Sequence, residues 1–127
     1  MSAAGSSVKE NALLGGRVRL LQPERGYRAG MDAALLAAAV AAKPGERIIE
    51  AGCGAGGVLF QMAARLPDAR LTGLERDPTS ADLAQQNAVL NGGEERVEVL
   101  TGDVAAGFRS LGLEPFDWAV CNPPFFD

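Results

Sequence analysis

Arg47-Ile48-Ile49-Glu50-Ala51-Gly52-Cys53-Gly54-Ala55-Gly56-Gly57 is the stretch on which the fold turns. Five residues, Arg47 to Ala51, make a short apolar run of strand length. It passes without a break into a glycine cluster. Good helix formers follow, from about Gly57 to Leu66, with Val58, Leu59, Met62 and Leu66 on one face. The spacing Gly52-x-Gly54-x-x-Gly57 therefore sits between a strand and a helix, the context in which it has meaning. Glycines there allow positive φ and let a ligand approach the backbone at the strand's carboxyl end.

Downstream the alternation repeats. Arg70-Leu71-Thr72-Gly73-Leu74-Glu75 reads as a second strand. Asp77-Pro78-Thr79-Ser80 opens a helix that runs to Leu90 and stops at Asn91-Gly92-Gly93. Arg96 to Leu100 is a third strand, ending in Thr101-Gly102-Asp103, and a short helix from about Val104 to Leu111 follows. The last strand, Phe116 to Cys121, ends in Asn122-Pro123-Pro124-Phe125. Two prolines in a row cannot continue a ladder, and Pro123 keeps Asn122 extended. The result is a stiff corner that holds an amide and an aromatic ring. Such a corner suits a grip on a planar, amine-bearing group, or equally a proline-stopped strand with a structural Asn and a core Phe.

Upstream, residues 1 to 10 are small and polar and read as a frayed, flexible tail. Gly15-Gly16, between Leu13-Leu14 and Arg17 to Gln22, predicts a hairpin closed by Pro23. Tyr27 to Gly30 is a short extended piece. Met31 to Ala42 is a helix with Asp32 as a plausible cap and Lys43-Pro44-Gly45 as its stop. The whole is an α/β chain with a mostly parallel, Rossmann-like sheet behind a hairpin and a helix. Three segments follow: the tail (1–10), the hairpin and helix (11–45), and the strand-helix alternation (46–127).

Composition narrows the chemistry. The 127 residues contain no histidine, which removes Ser-His-Asp triads, histidine metal sites and histidine bases. Cys53 and Cys121 have no metal-type pairing and read as small buried thiols, so no metal is expected. No apolar run reaches the ~18 residues of a membrane span, and a cytoplasmic location is the default. The net charge of −4 argues against a nucleic-acid partner. Yet Lys9, Arg17, Arg19, Arg25 and Arg28 crowd the first 28 residues. That segment reads either as a phosphate-contacting patch or as ordinary solvated surface.

Three successive strand ends carry the glycine loop, Glu75 and Asp103. A carboxylate about 20 residues past such a loop accepts from ribose hydroxyls. Asp103 is in line for an adenine amine, or caps the next helix. In order and at strand ends, the three predict an adenosine-containing cofactor. NAD fits the glycines, but Glu50, two residues before Gly52, would repel a pyrophosphate and would welcome an ammonium.

Glu50 to Gly56, Glu75, Gly102-Asp103 and Asn122 to Phe125 together resemble the class I S-adenosylmethionine-dependent methyltransferases that act on amino groups. Tyr27 to Leu36 and Asn87-Ala88-Val89-Leu90-Asn91-Gly92 make the chain most similar to the tRNA1(Val) adenine-N6 methyltransferase family. The resemblance implies S-adenosyl-L-methionine as cofactor, held by Glu50, Gly52, Cys53, Gly54, Gly56, Glu75, Arg76, Asp103, Val104 and Asn122. It implies a catalytic tip in which Asn122 and the Pro123 carbonyl accept from an exocyclic amine while Phe125 stacks on a flipped base. Arg28 and Asp32 fall, by the same resemblance, at the cofactor or substrate mouth. The implied partner is nucleic acid, a tRNA above all, with no membrane.

The family's fold has seven strands, of which this chain supplies about the first four and the hairpin. Expected consequences are an S-adenosylmethionine-binding half (46–127) with little transfer activity alone. The fourth-strand edge, with Trp118, Val120 and Phe116 nearby, would then be exposed and able to pair two copies into a homodimer. Alternative readings are a non-catalytic cofactor-binding module, an rRNA guanine or protein-glutamine N-methyltransferase, and a NAD-binding oxidoreductase.

Overall fold

The computed structural model describes residues 7–24, 30–106 and 112–122. A two-stranded antiparallel hairpin, β1 (Val8–Leu13) and β2 (Val18–Pro23), precedes helix α1 (Met31–Ala39). Then β3 (Arg47–Ala51), α2 (Gly57–Arg65), β4 (Arg70–Glu75), α3 (Pro78–Leu90), β5 (Val97–Thr101) and β6 (Trp118–Cys121) alternate as expected. The four later strands form one parallel sheet in the order β5-β4-β3-β6. After β3 the chain builds outward through β4 and β5, then returns to the other side of β3. The switch point therefore lies between β3 and β6, where open α/β sheets bind ligands at their carboxyl ends.

The α/β, mostly parallel reading of the sequence matches this sheet, and the boundaries differ for physical reasons. Strand β1 begins at Val8, inside the expected tail, because Val8 to Leu13 pair with Pro23 to Val18. Helix α1 ends at Ala39 rather than Ala42. There the Arg65 guanidinium takes the Ala37 carbonyl at 3.2 Å and also that of Val40, and Val40 is extended. The N-cap of α1 is Gly30, and Asp32 lies exposed in the first turn, where its charge suits the helix dipole. Strand β5 runs from Val97 to Thr101, one residue later than expected. Only Val104–Ala106 of the expected fourth helix lie among the described residues, as a 3-10 turn. Strand β6 starts at Trp118, because Phe116 lies instead under the Arg47 guanidinium, 4.3 Å from it.

Ile48, Ile49 and Glu50 of β3 are all buried, as a central parallel strand requires. Helix α2 was expected to bury one face, but Val58 to Ala63 are buried without interruption. Helix α1, strand β4 and the hairpin all pack on it. Three arginines, Arg17, Arg65 and Arg96, are spent on helix ends. Arg96 donates to the Ala63, Leu66 and Ala69 carbonyls around the end of α2, and Arg17 donates to Ala64 at 3.0 Å. Arg19 pairs with Glu10 at 2.8 Å. Two of the five cations of the amino-terminal basic segment are thus committed within the fold, and Arg25 and Arg28 lie outside the described residues.

Candidate functional site

The carboxyl ends of β3, β4, β5 and β6 and the end of β2 surround a cleft of about 620 Å³. That is within the usual range for a small-molecule site. Of the residues singled out in the sequence, Glu50, Gly52, Cys53, Gly54, Glu75, Arg76, Asp103, Val104 and Asn122 all line it. Pro123 and Phe125, like Arg28, lie outside the described residues.

The loop is shaped by its glycines. Gly52, Gly54 and Gly56 have φ of 69°, 57° and 105°. A Cβ on Gly52 or Gly54 would meet nothing within 4 Å, so their backbone faces open space. Gly56 differs. It caps α2, it does not line the cleft, and a Cβ there would stand 2.3 Å from the Phe60 ring. Its lack of a side chain makes room for the Phe60 ring. The backbone amides of Gly52 and Cys53 donate to the Leu74 carbonyl at 2.7 and 3.1 Å, which continues the β3–β4 ladder into the loop. Gly73 allows this close approach: a Cβ there would be 2.8 Å from both Cys53 Sγ and Leu59. An isolated glycine within a strand is itself a sign of such close approach.

Two carboxylates set the electrostatics. Glu75 Oε1 accepts from the Gly54 amide at 2.9 Å and Oε2 from the Asp77 amide at 2.9 Å. Ionised, it keeps further lone pairs for a ligand in the cleft. Glu50 is 1% exposed, and its Oε1 has no hydrogen-bond partner. Burial pushes its pKa well above the usual carboxylate range, the Leu59 amide in the first turn of α2 opposes this, and the Glu75 charge adds to the rise. Cys53 is buried beside them. Burial first, then Glu50 and Glu75, push its pKa up, so it stays a thiol.

Asp103 is exposed, and its Oδ1 accepts from the Ala105 amide at 3.0 Å, so it caps the 3-10 turn while lining the cleft. Asn122 is half-buried at the end of β6. The register Ala51↔Cys121 brings it beside Gly52. Gln22 and Pro23 of the hairpin, with Ser80 and Leu83 of α3, complete the wall. None of these four was read from the sequence. Their neighbours across the cleft are distant in the chain, and no local pattern marks them.

The methyltransferase small domain family matches residues 28–127. The chain belongs to that family. It is 36% identical over 105 residues to the tRNA1(Val) (adenine(37)-N6)-methyltransferase of Porphyromonas gingivalis, covering 78% of this chain and 41% of the relative. The chain thus spans about 40% of the length of the curated relatives it matches. Among solved structures, it is 37% identical to a predicted O-methyltransferase of Agrobacterium tumefaciens, with a TM-score of 0.65 over 75% of this chain and 50% of the other. A SAM-dependent methyltransferase of Thiobacillus denitrificans, solved with S-adenosyl-L-homocysteine, is 27% identical, with a TM-score of 0.57 over 70% and 34%. The sheet is accordingly that of the Rossmann-like methyltransferases, whose cofactor is S-adenosyl-L-methionine.

The residues present fit that cofactor. Its ammonium would give the unpartnered buried Glu50 Oε1 a partner. Its ribose hydroxyls would find an acceptor in Glu75, and the open backbone of Gly52 and Gly54 would leave room beside them. Among the described residues, no helix is long and apolar enough to cross a membrane.

Proposed function

We propose that this chain is the cofactor-binding part of an S-adenosylmethionine-dependent N-methyltransferase that acts on an exocyclic amine of a nucleic-acid base, adenine in a tRNA. The observation that carries the reading is the placement of Asn122 beside the glycine loop, through the Ala51↔Cys121 register, at the mouth of a cleft with a buried, unpartnered carboxyl. The likeness to tRNA1(Val) adenine-N6 enzymes supports adenine and tRNA as the substrate.

The cofactor supplies an electrophilic methyl on a sulfonium. Everything else falls to the chain. Glu50 holds the ammonium end, Glu75 the ribose, and Asp103 and Val104 the adenine side. Gly52 and Gly54 let the backbone approach, and Arg76 stands at the rim. Asn122 and the Pro123 carbonyl orient an amine by accepting its protons, and Phe125 stacks on the base. Catalysis of this kind is positioning, with no strong base required. That suits a chain without histidine. The cytoplasm is the compartment that goes with a tRNA substrate. Strand β6 is one of the two sheet edges among the described residues and is open to a second copy. Val120 is buried there and Trp118 half-buried, so Ala119 and Cys121 are its exposed side chains.

The test is transfer of labelled methyl from S-adenosylmethionine to unmodified tRNA, rRNA and a glutamine-bearing protein. Label on tRNA adenine supports the reading. Label on rRNA guanine or on protein, with none on tRNA, overturns the substrate.

A further inference from the structure

Asn87 lies within α3 and is fully buried, yet its carboxamide is spent outside its own helix. Its Oδ1 accepts from the Leu21 amide at 2.8 Å. Its Nδ2 donates to the Leu21 carbonyl at 2.9 Å and to the Ala55 carbonyl of the glycine loop at 2.8 Å. One turn later, Asn91 treats Arg19 in the same way. It accepts from the Arg19 amide at 2.9 Å and donates to its carbonyl at 2.8 Å.

Arg19 and Leu21 are two residues apart on β2, so their backbone groups leave the same edge. Two strand residues span about 6.6 Å and four helix residues rise about 6 Å. Asparagines at i and i+4 therefore match every second strand residue. The two carboxamides stand in for a third strand and fasten the hairpin to α3. Only Asn87 also reaches the loop. Just beyond Leu21, Gln22 and Pro23 form the hairpin's wall of the cleft.

We propose that Asn87 is a positioning residue for cofactor binding: by holding Leu21 and Ala55 with one carboxamide, it sets the spacing between the hairpin wall and the glycine loop. The inference makes the amino-terminal hairpin part of the cofactor site, and it rests on reading the cleft as that site. Asn91 is the internal control, because it fastens the same hairpin without touching the loop.

The experiment is calorimetric titration of the whole chain with S-adenosylhomocysteine, at a temperature where circular dichroism shows each variant folded. Asn87→Ala is expected to weaken binding roughly tenfold or more, the effect of one buried hydrogen-bond set. Asn91→Ala is expected to stay within about twofold while still lowering the melting temperature. The amide NMR signals of Gly54, Ala55 and Gly56 are expected to move in the first variant and not in the second. Should Asn87→Ala not fold, Asn87→Asp keeps the shape and the acceptor for Leu21 but faces the two carbonyls without the amide donor. The same loss is expected of it. Equal weakening by the Asn87 and Asn91 variants, or none by either Asn87 variant, overturns the proposal. A wild-type chain that binds no S-adenosylhomocysteine overturns the cofactor reading itself.

Discussion

The two ends of the β3–β6 pair are built on opposite principles. At the amino end the polar groups of Arg47, Asp117 and Trp118 are tied across the pair. The Arg47 amide donates to Asp117 at 2.8 Å and the Asp117 amide returns to the Arg47 carbonyl at 2.8 Å. The Arg47 guanidinium reaches the Pro115 carbonyl and lies over Phe116, and Trp118 Nε1 donates to Glu46 at 3.2 Å. At the carboxyl end β3 runs into positive-φ glycines and carries a buried carboxyl with one oxygen unpartnered, and β6 ends at Asn122. One end is closed by hydrogen bonds at the surface. The other keeps one buried carboxyl oxygen of Glu50 unsatisfied at a cost to stability, which a ligand can recover. Stability and function are thus separated along a single pair of strands.

The sharpest way to break that separation is at the tip. In the transfer-competent protein, Asn122→Ala is expected to slow methyl transfer about 10³-fold, or ~4 kcal/mol, with cofactor affinity nearly unchanged. An equal loss of affinity in the same titration would put Asn122 in the cofactor's grip instead. Next comes Gly56→Ala, which sets a Cβ against the Phe60 ring at a φ of 105°. It is expected to cost about 3 kcal/mol in urea unfolding.

Glu50→Gln is expected to weaken S-adenosylhomocysteine binding by about 2 kcal/mol, thirtyfold, while the free protein becomes no less stable. Its pH dependence sharpens the point. Because burial raises the Glu50 pKa above 4.5, the folded chain holds a proton that the unfolded chain releases as pH rises past that value. This contribution to stability is present in full at acidic pH and falls as pH rises toward the folded value. Ligand affinity runs the other way and rises with pH, since an ammonium favours the ionised carboxyl. Melting curves against pH for wild type and Glu50→Gln isolate the difference. At the opposite end, Asp117→Ala is expected to cost about 1 kcal/mol in the same unfolding assay. Cofactor titration should give the wild-type affinity. A change there would show that the two ends are coupled.

Much of the site was legible in advance because its signals are local. A strand that runs into Gly52-x-Gly54 needs only positive φ at the turn. Glu75 at the next strand end follows from the βαβ period. Other features were legible only as composition. Five cations crowd the amino terminus, and only the structure shows that Arg19 meets Glu10 and Arg17 meets the end of α2. Asp103 could be read as a cap or as a ligand, and it both caps the turn and lines the cleft. The packing demand on Gly56 was not legible, because the ring that makes it, Phe60, lies in the following helix.

The sequence alone therefore determined the alternation of strands and helices, the glycine turn at the first strand of the sheet and the acids that follow it. Each depends on periodicity or on φ, properties a chain carries residue by residue. The tertiary structure alone decided that Asn87 joins Leu21 to Ala55, that Gln22 and Pro23 wall the cleft, and that Glu50 is buried with an oxygen to spare. Those facts depend on which distant backbone groups meet, and on what water is excluded when they do.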